Sequence, residues 1–99
     1  MKITYTPELC EYMQQKKKTT IIVELVELKS DLDMTELHVY LADERTRNIF
    51  RNKKGYGIAK TEVGEVLFPP FPLQFEETVT FGLKSFLFVK YVTYTGIKV

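Results

Sequence analysis

The chain has 99 residues, a formal net charge of +1, 44% hydrophobic residues and 13% aromatic residues. These values indicate one folded domain with a modest core and exclude a disordered tail, which would carry fewer aromatic residues and more net charge. Nearly balanced acids and bases also argue against a dedicated nucleic-acid-binding domain, which usually has a clear basic excess.

The cysteine content and the distribution of apolar residues predict the compartment. Cys10 is the single cysteine, so the chain has no internal disulfide, and in so short a chain this favours a reducing environment. No apolar run approaches the length that spans a bilayer. The opening MKITYTPE lacks the apolar segment of a signal peptide. We therefore expect a soluble, cytoplasmic protein that binds neither nucleic acid nor membrane.

The first half of the chain predicts a strand, a helix and two further strands. MKITY favours a short strand, and the segment after it predicts a helix with Thr6 as its cap and Pro7 at its first position. TTIIVELVELK is apolar on both faces and predicts a central strand. TELHVYLA alternates, with Leu37, Val39 and Leu41 facing inward, and predicts a half-buried strand.

The second half predicts one further short helix and more strands. DERTRNIFRN predicts a helix with Asp43 as its cap and with Ile49 and Phe50 as its apolar contacts. GIAKTEV and EVLF predict two strands joined tightly at Gly64. The prolines of PPFPLQFEE indicate an irregular connector, and the β-branched, aromatic C-terminal segment predicts strand. The whole is a single mainly β (α+β) domain over residues 1–99.

Both ends of the chain resemble small bacterial HesB-like proteins, and most closely a group with a paired-cysteine or cysteine–selenocysteine motif. The resemblance lies in the opening MKIT with Thr6, Glu11, Tyr12 and the lysines that follow, in GEVLFP at residues 64–69, and in LKSFLFVKYV followed by GIKV. It implies a compact HesB-like β barrel-sandwich hybrid with an early helix. It also implies a distant relation to the A-type iron–sulfur carriers of the same superfamily.

The cysteines on which the function of these relatives depends are missing here. The resemblance implies a cysteine pair in the loop after the strand that ends near Leu28, where this chain has KSDLD. The iron–sulfur carriers have Cys-Gly-Cys near the C-terminus, where this chain has TYTGIKV, and Cys10 matches no such position. We therefore predict a non-enzymatic interaction module that has lost the thiol site and holds no cofactor.

Four potential metal ligands lie in KSDLDMTELH, namely Asp31, Asp33, Glu36 and His38. Carboxylates and an imidazole can hold a divalent metal, and Glu36 and His38 project from the same face of a strand. The segment lacks the glycine and terminal glutamate of a calcium-binding loop, and Asp and Ser also dominate ordinary turns. We predict a turn between strands, and the alternative is a metal or iron–sulfur accessory site.

A basic segment, ERTRNIFRNKK, is the second candidate site. Its cations are Arg45, Arg47, Arg51, Lys53 and Lys54. Such a group could bind an anion or the acidic surface of a partner. Asp43 and Glu44 offset part of the charge, and a charged helix face is commonly only solvated. A small-molecule or anion binder is therefore a third hypothesis.

Other reactive or binding motifs have structural interpretations. A nucleophilic pair of Cys10 and His38 would need a third group to orient it, and free cysteine usually packs as a small hydrophobe. FPPFP, residues 68–72, contains a minimal PxxP but is expected to be a rigid connector.

The terminal segment SFLFVKYVTY predicts a partner. Taken as one strand, it has two apolar faces, with Leu87 and Val89 on one and Phe88 and Val92 on the other. The core can cover one face, and a large exposed apolar face usually marks an interface. We therefore predict a homodimer, while no further protein partner follows from the sequence.

Overall fold

The computed structural model describes residues 1–28 and 34–99. In chain order the elements are β1 (Lys2–Tyr5), α1 (Pro7–Lys16), β2 (Thr20–Leu28), β3 (Met34–Ala42), α2 (Glu44–Arg51), β4 (Gly57–Lys60), β5 (Glu65–Phe68), β6 (Gln74–Phe86) and β7 (Val89–Lys98). These elements form a mostly β, α+β fold, as predicted. The strands make two mixed sheets, and within the described ranges neither sheet closes into a barrel. The HesB-like form of this architecture stays a prediction.

The four-stranded sheet has the order β3-β2-β5-β4, with β2 in an inner position. β2 is antiparallel to β3 and parallel to β5. Three consecutive β2 residues, Ile21, Ile22 and Val23, are fully buried, so both faces of this strand are covered. This confirms the central strand that the two-sided apolar pattern predicts.

The three-stranded sheet has the order β1-β6-β7, with β1 parallel to β6 and β6 antiparallel to β7. β6 and β7 form a hairpin in which Phe86 pairs with Val89, so Leu87 and Phe88 are the two turn residues. The single-strand interpretation of SFLFVKYVTY is therefore wrong. The turn contains no glycine, asparagine or proline to signal it, and Leu87 instead adopts a positive φ of 56°.

Both helices begin where the sequence predicts. The Thr6 hydroxyl accepts a hydrogen bond from the backbone N–H of Leu9 at 3.4 Å, and the Asp43 carboxylate accepts one from Thr46 at 2.8 Å. These contacts satisfy N–H groups that the first turn of a helix leaves free. No helix within the described ranges is long and apolar enough to span a membrane.

The main core lies between the two sheets and under α1. Its buried members are Leu9, Met13, Ile21, Val23, Val66, Val79, Phe81 and Ile97. A smaller cluster on the outer face of the four-stranded sheet consists of Ile22, Ala42, Phe50 and Leu67, so that α2 covers this face. Phe50 packs as predicted, whereas Ile49 is 53% exposed because it lies about 100° around the helix from Phe50.

Candidate functional site

The segment KSDLDMTELH, residues 29–38, is only partly described. Asp31 and Asp33 lie outside the described residues. Glu36 and His38 are exposed on β3, and His38 Nε2 lies 3.3 Å from Glu36 Oε2. Within residues 1–28 and 34–99 no group of three or more His, Cys, Asp and Glu side chains is placed to hold a metal. Of the four potential metal ligands, the described residues therefore include one carboxylate–imidazole pair in contact, Glu36 and His38.

A second polar contact lies on the same sheet, and the sequence did not single it out. The Tyr40 hydroxyl donates a hydrogen bond of 2.8 Å to Glu24 Oε2. Burial and this carboxylate raise the pKa of Tyr40 well above its ordinary value. Glu24 pairs in register with His38, so cross-strand alternation was the signal that could have placed it beside the candidate ligand.

A largely buried charged contact joins the basic segment to the four-stranded sheet. Arg47 on α2 donates from Nε to Glu65 Oε1 and from Nη2 to Glu65 Oε2, the second at 3.3 Å. Glu65 is 9% exposed and also accepts a hydrogen bond from the Thr20 hydroxyl at 3.2 Å. The Arg47 hydrogen bond lowers the pKa of Glu65. Arg47 therefore links α2 to β5 directly, and to β2 through the contact of Glu65 with Thr20. The Glu65 carboxylate already compensates the charge of Arg47.

The other four cations of the basic segment are exposed, namely Arg45, Arg51, Lys53 and Lys54. Lys53 Nζ lies 4.1 Å from the centroid of the Phe50 ring, so this ammonium covers the ring that α2 contributes to the smaller buried cluster. A crevice of about 590 Å³ between the end of α1 and the start of α2 includes Arg47 in its lining, together with Lys16 to Lys18. Asp43, Glu44 and Glu65 line it too, so its charge is mixed.

We expect Arg47→Ala to lower the urea midpoint of unfolding at neutral pH, because it leaves the buried Glu65 carboxylate without its cation. The folded-state pKa of Glu65 is below the ordinary 4.5. The stabilisation from the pair is therefore complete above 4.5 and is lost as the pH falls through the folded-state pKa. At a pH well below 4.5, the difference in urea midpoint between wild type and Arg47→Ala should therefore become smaller. Arg45→Ala, an exposed neighbour, is the control, and an equal effect of both changes would contradict the account.

A further feature is an apolar hairpin tip, which we define as Phe86, Leu87, Phe88 and Val89. Their exposed fractions are 67%, 82%, 103% and 64%. The sequence predicts that this apolar run lies in a strand with one face on the core and the other on a second subunit. The structure instead puts all four side chains at the end of a hairpin, where the solvent reaches them.

Comparison with models of known protein families, with curated proteins and with solved structures found no match in any of the three. The hairpin tip is the candidate functional site because its four consecutive side chains are apolar and exposed. Contiguous apolar surface of this kind on a folded domain commonly marks an interaction site.

Proposed function

We propose that this chain is a non-enzymatic interaction module that binds another surface through its hairpin tip. The observation that carries the proposal is the exposure of four consecutive apolar side chains, with Phe88 at 103% and Leu87 at 82%. Single exposed apolar residues are ordinary, but a contiguous group is not.

The tip has no role in the core that would account for its composition. The core residues of β6, Val79 and Phe81, are fully buried, whereas the tip extends past Leu83, which still packs against the core. Turn chemistry also favours other residues, since two-residue hairpin turns commonly contain asparagine or glycine. Apolar side chains at this place are best accounted for by a contact with something outside the domain.

The HesB-like resemblance is part of the proposal. The early helix, the two mixed sheets and the KSDLD segment in place of a cysteine pair support a HesB-like domain that no longer uses thiol chemistry. In that case the tip, and not a cysteine site, is the functional element. A cytoplasmic location and a homodimer remain expectations of the same proposal.

The test is photo-crosslinking in the cells that produce the protein. Benzoylphenylalanine replaces Phe88 in one sample and Ile49, an exposed apolar residue of α2, in the matched control. We expect adducts with protein or lipid at position 88 well above those at position 49. Equal yields at the two positions would remove the proposal.

A metal accessory protein is the second candidate, because Glu36 and His38, two of the four potential ligands in KSDLDMTELH, contact each other. Native mass spectrometry of untagged, anaerobically purified protein separates the two functions. The interaction module predicts a mass without bound metal, that of the chain or of its homodimer. Stoichiometric iron, zinc or a cluster would favour the accessory protein instead, provided that His38→Ala lowers the amount bound.

A further inference from the structure

The hairpin tip protrudes as a small convex apolar surface. The two strands are paired as far as Phe86 and Val89, beyond which Leu87 and Phe88 are almost entirely exposed. Leu87 has a φ of 56° at the first turn position, where glycine is commonly found because a side chain there is unfavourable. The chain therefore places a large apolar side chain where the local backbone favours none.

Basic side chains lie directly behind the tip. Lys84 pairs with Tyr91, and Lys90 pairs with Ser85. Because successive side chains alternate between the faces of a strand, the two lysines lie on opposite faces of the hairpin. Both are exposed, and no charged residue lies between them in the sequence. The apolar tip is therefore bordered by a cation on each face.

Helix α1 places a further lysine and an aromatic ring beside Lys90, on one face of the hairpin behind the tip. The ammonium groups of Lys90 and Lys16 lie 5.4 Å and 5.6 Å from the centroid of the Tyr12 ring. Glu8 and Glu11 line a neighbouring crevice with Lys90 and offset part of this charge. With Lys84 on the other face, the base of the hairpin is on balance basic and carries aromatic rings.

The area of the tip argues against a second copy as the main occupant. Its four side chains expose on the order of 500 Å², taking each aromatic ring at about 200 Å². A stable protein–protein interface buries about 800 Å² on each partner. The tip alone is too small for a stable dimer.

A lipid surface fits the same geometry. Apolar groups at a membrane surface enter about 5–10 Å into the boundary between headgroups and acyl chains, and lysines are attracted to anionic headgroups. The distance from Lys84 to Leu87 corresponds to about 10 Å of extended chain. The tip can therefore reach this depth while the lysines stay among the phosphates.

We propose that the hairpin tip inserts into the surface of a membrane that contains anionic phospholipids. Lys84 and Lys90 contact the phosphates, and the half-exposed Tyr91 lies at the interface, where tyrosine is enriched. This inference rests on the proposed function and assigns its partner. It replaces the expectation, drawn from sequence, of a protein that does not contact membranes.

The test is co-sedimentation with vesicles of phosphatidylcholine alone and of equal parts phosphatidylcholine and phosphatidylglycerol. Wild type should bind the mixed vesicles, and less strongly as salt shortens the Debye length from about 10 Å at 0.1 M to about 3 Å at 1 M. Phe88→Ser should weaken binding about tenfold or more, since a buried phenylalanine is lost. Ile49→Ser is the matched control and should bind like wild type.

Two further variants separate the contribution of the apolar turn from that of the two lysines. Leu87→Gly should weaken binding while leaving the urea midpoint unchanged or higher, because glycine suits the positive φ. A merely structural role for Leu87 would instead lower both. The double change Lys84→Gln with Lys90→Gln should abolish the preference for anionic vesicles while the tip stays apolar.

Three results would overturn the inference: no vesicle binding by wild type, equal binding by wild type and Phe88→Ser, or a wild-type dimer that Phe88→Ser dissociates without any lipid binding. In each of these cases, crosslinking at position 88 then tests whether the tip still binds a protein partner. Protein adducts there would keep the interaction module with a protein partner. An absence of enrichment over position 49 would remove both proposals.

Discussion

Phe81→Ala is expected to lower the free energy of unfolding by about 3–5 kcal/mol, whereas Phe88→Ala changes it by no more than about 0.5 kcal/mol. The two phenylalanines belong to the same hairpin. Phe81 is fully buried and its ring centroid lies 6.0 Å from that of Tyr5, while Phe88 is 103% exposed. Removal of the first ring leaves a cavity in the core, and removal of the second exposes nothing new.

The contrast matters because total stability of a domain is only about 5–15 kcal/mol, so Phe81→Ala should bring the protein close to unfolding at room temperature. Urea unfolding of both variants, followed by circular dichroism, gives the two differences. If Phe88→Ala cost as much as Phe81→Ala, the tip would be part of the core, and its proposed role in binding would fail.

Gly64→Ala has the second-largest expected effect, a loss of about 3 kcal/mol. A Cβ at this position would overlap the carbonyl oxygen of Thr19, which is backbone and cannot move aside alone. That oxygen also accepts a hydrogen bond of 2.9 Å from the N–H of Glu65. The substitution would therefore separate β5 from the start of β2 and disturb the Glu65–Arg47 contact.

Gly57→Ala is the matched control, because a Cβ on Gly57 meets nothing within 4 Å. We expect it to change stability by no more than about 0.5 kcal/mol. Thermal unfolding of both variants under one condition makes the comparison. Equal stability of Gly64→Ala and wild type would mean that β5 does not approach β2 as closely as described.

The elements whose signals are local in sequence were predictable. Thr6, Pro7 and Asp43 mark helix starts by their own side-chain chemistry, and both helices begin there. The two-sided apolar pattern of Ile21 to Val23 requires cover on both faces of the strand, and β2 is an inner strand.

Features that depend on long-range placement were not predictable. Arg47 and Glu65 are 18 positions apart, and the pair exists only because α2 packs over the start of β5. The hairpin turn at Leu87 and Phe88 carries no turn residues, so periodicity alone continued the strand through it. The candidate site could not be predicted as a hairpin tip because its turn consists of apolar residues, which favour strand.

The most direct test of the account is the fluorescence of Phe88→Trp. The chain contains no tryptophan, so all indole emission reports on the hairpin tip. With mixed phosphatidylcholine–phosphatidylglycerol vesicles we expect a blue shift and quenching by lipids brominated on their acyl chains, while Ile49→Trp stays unchanged. Emission from position 88 that remains that of a solvent-exposed indole, with no quenching by the brominated lipids, would contradict the account.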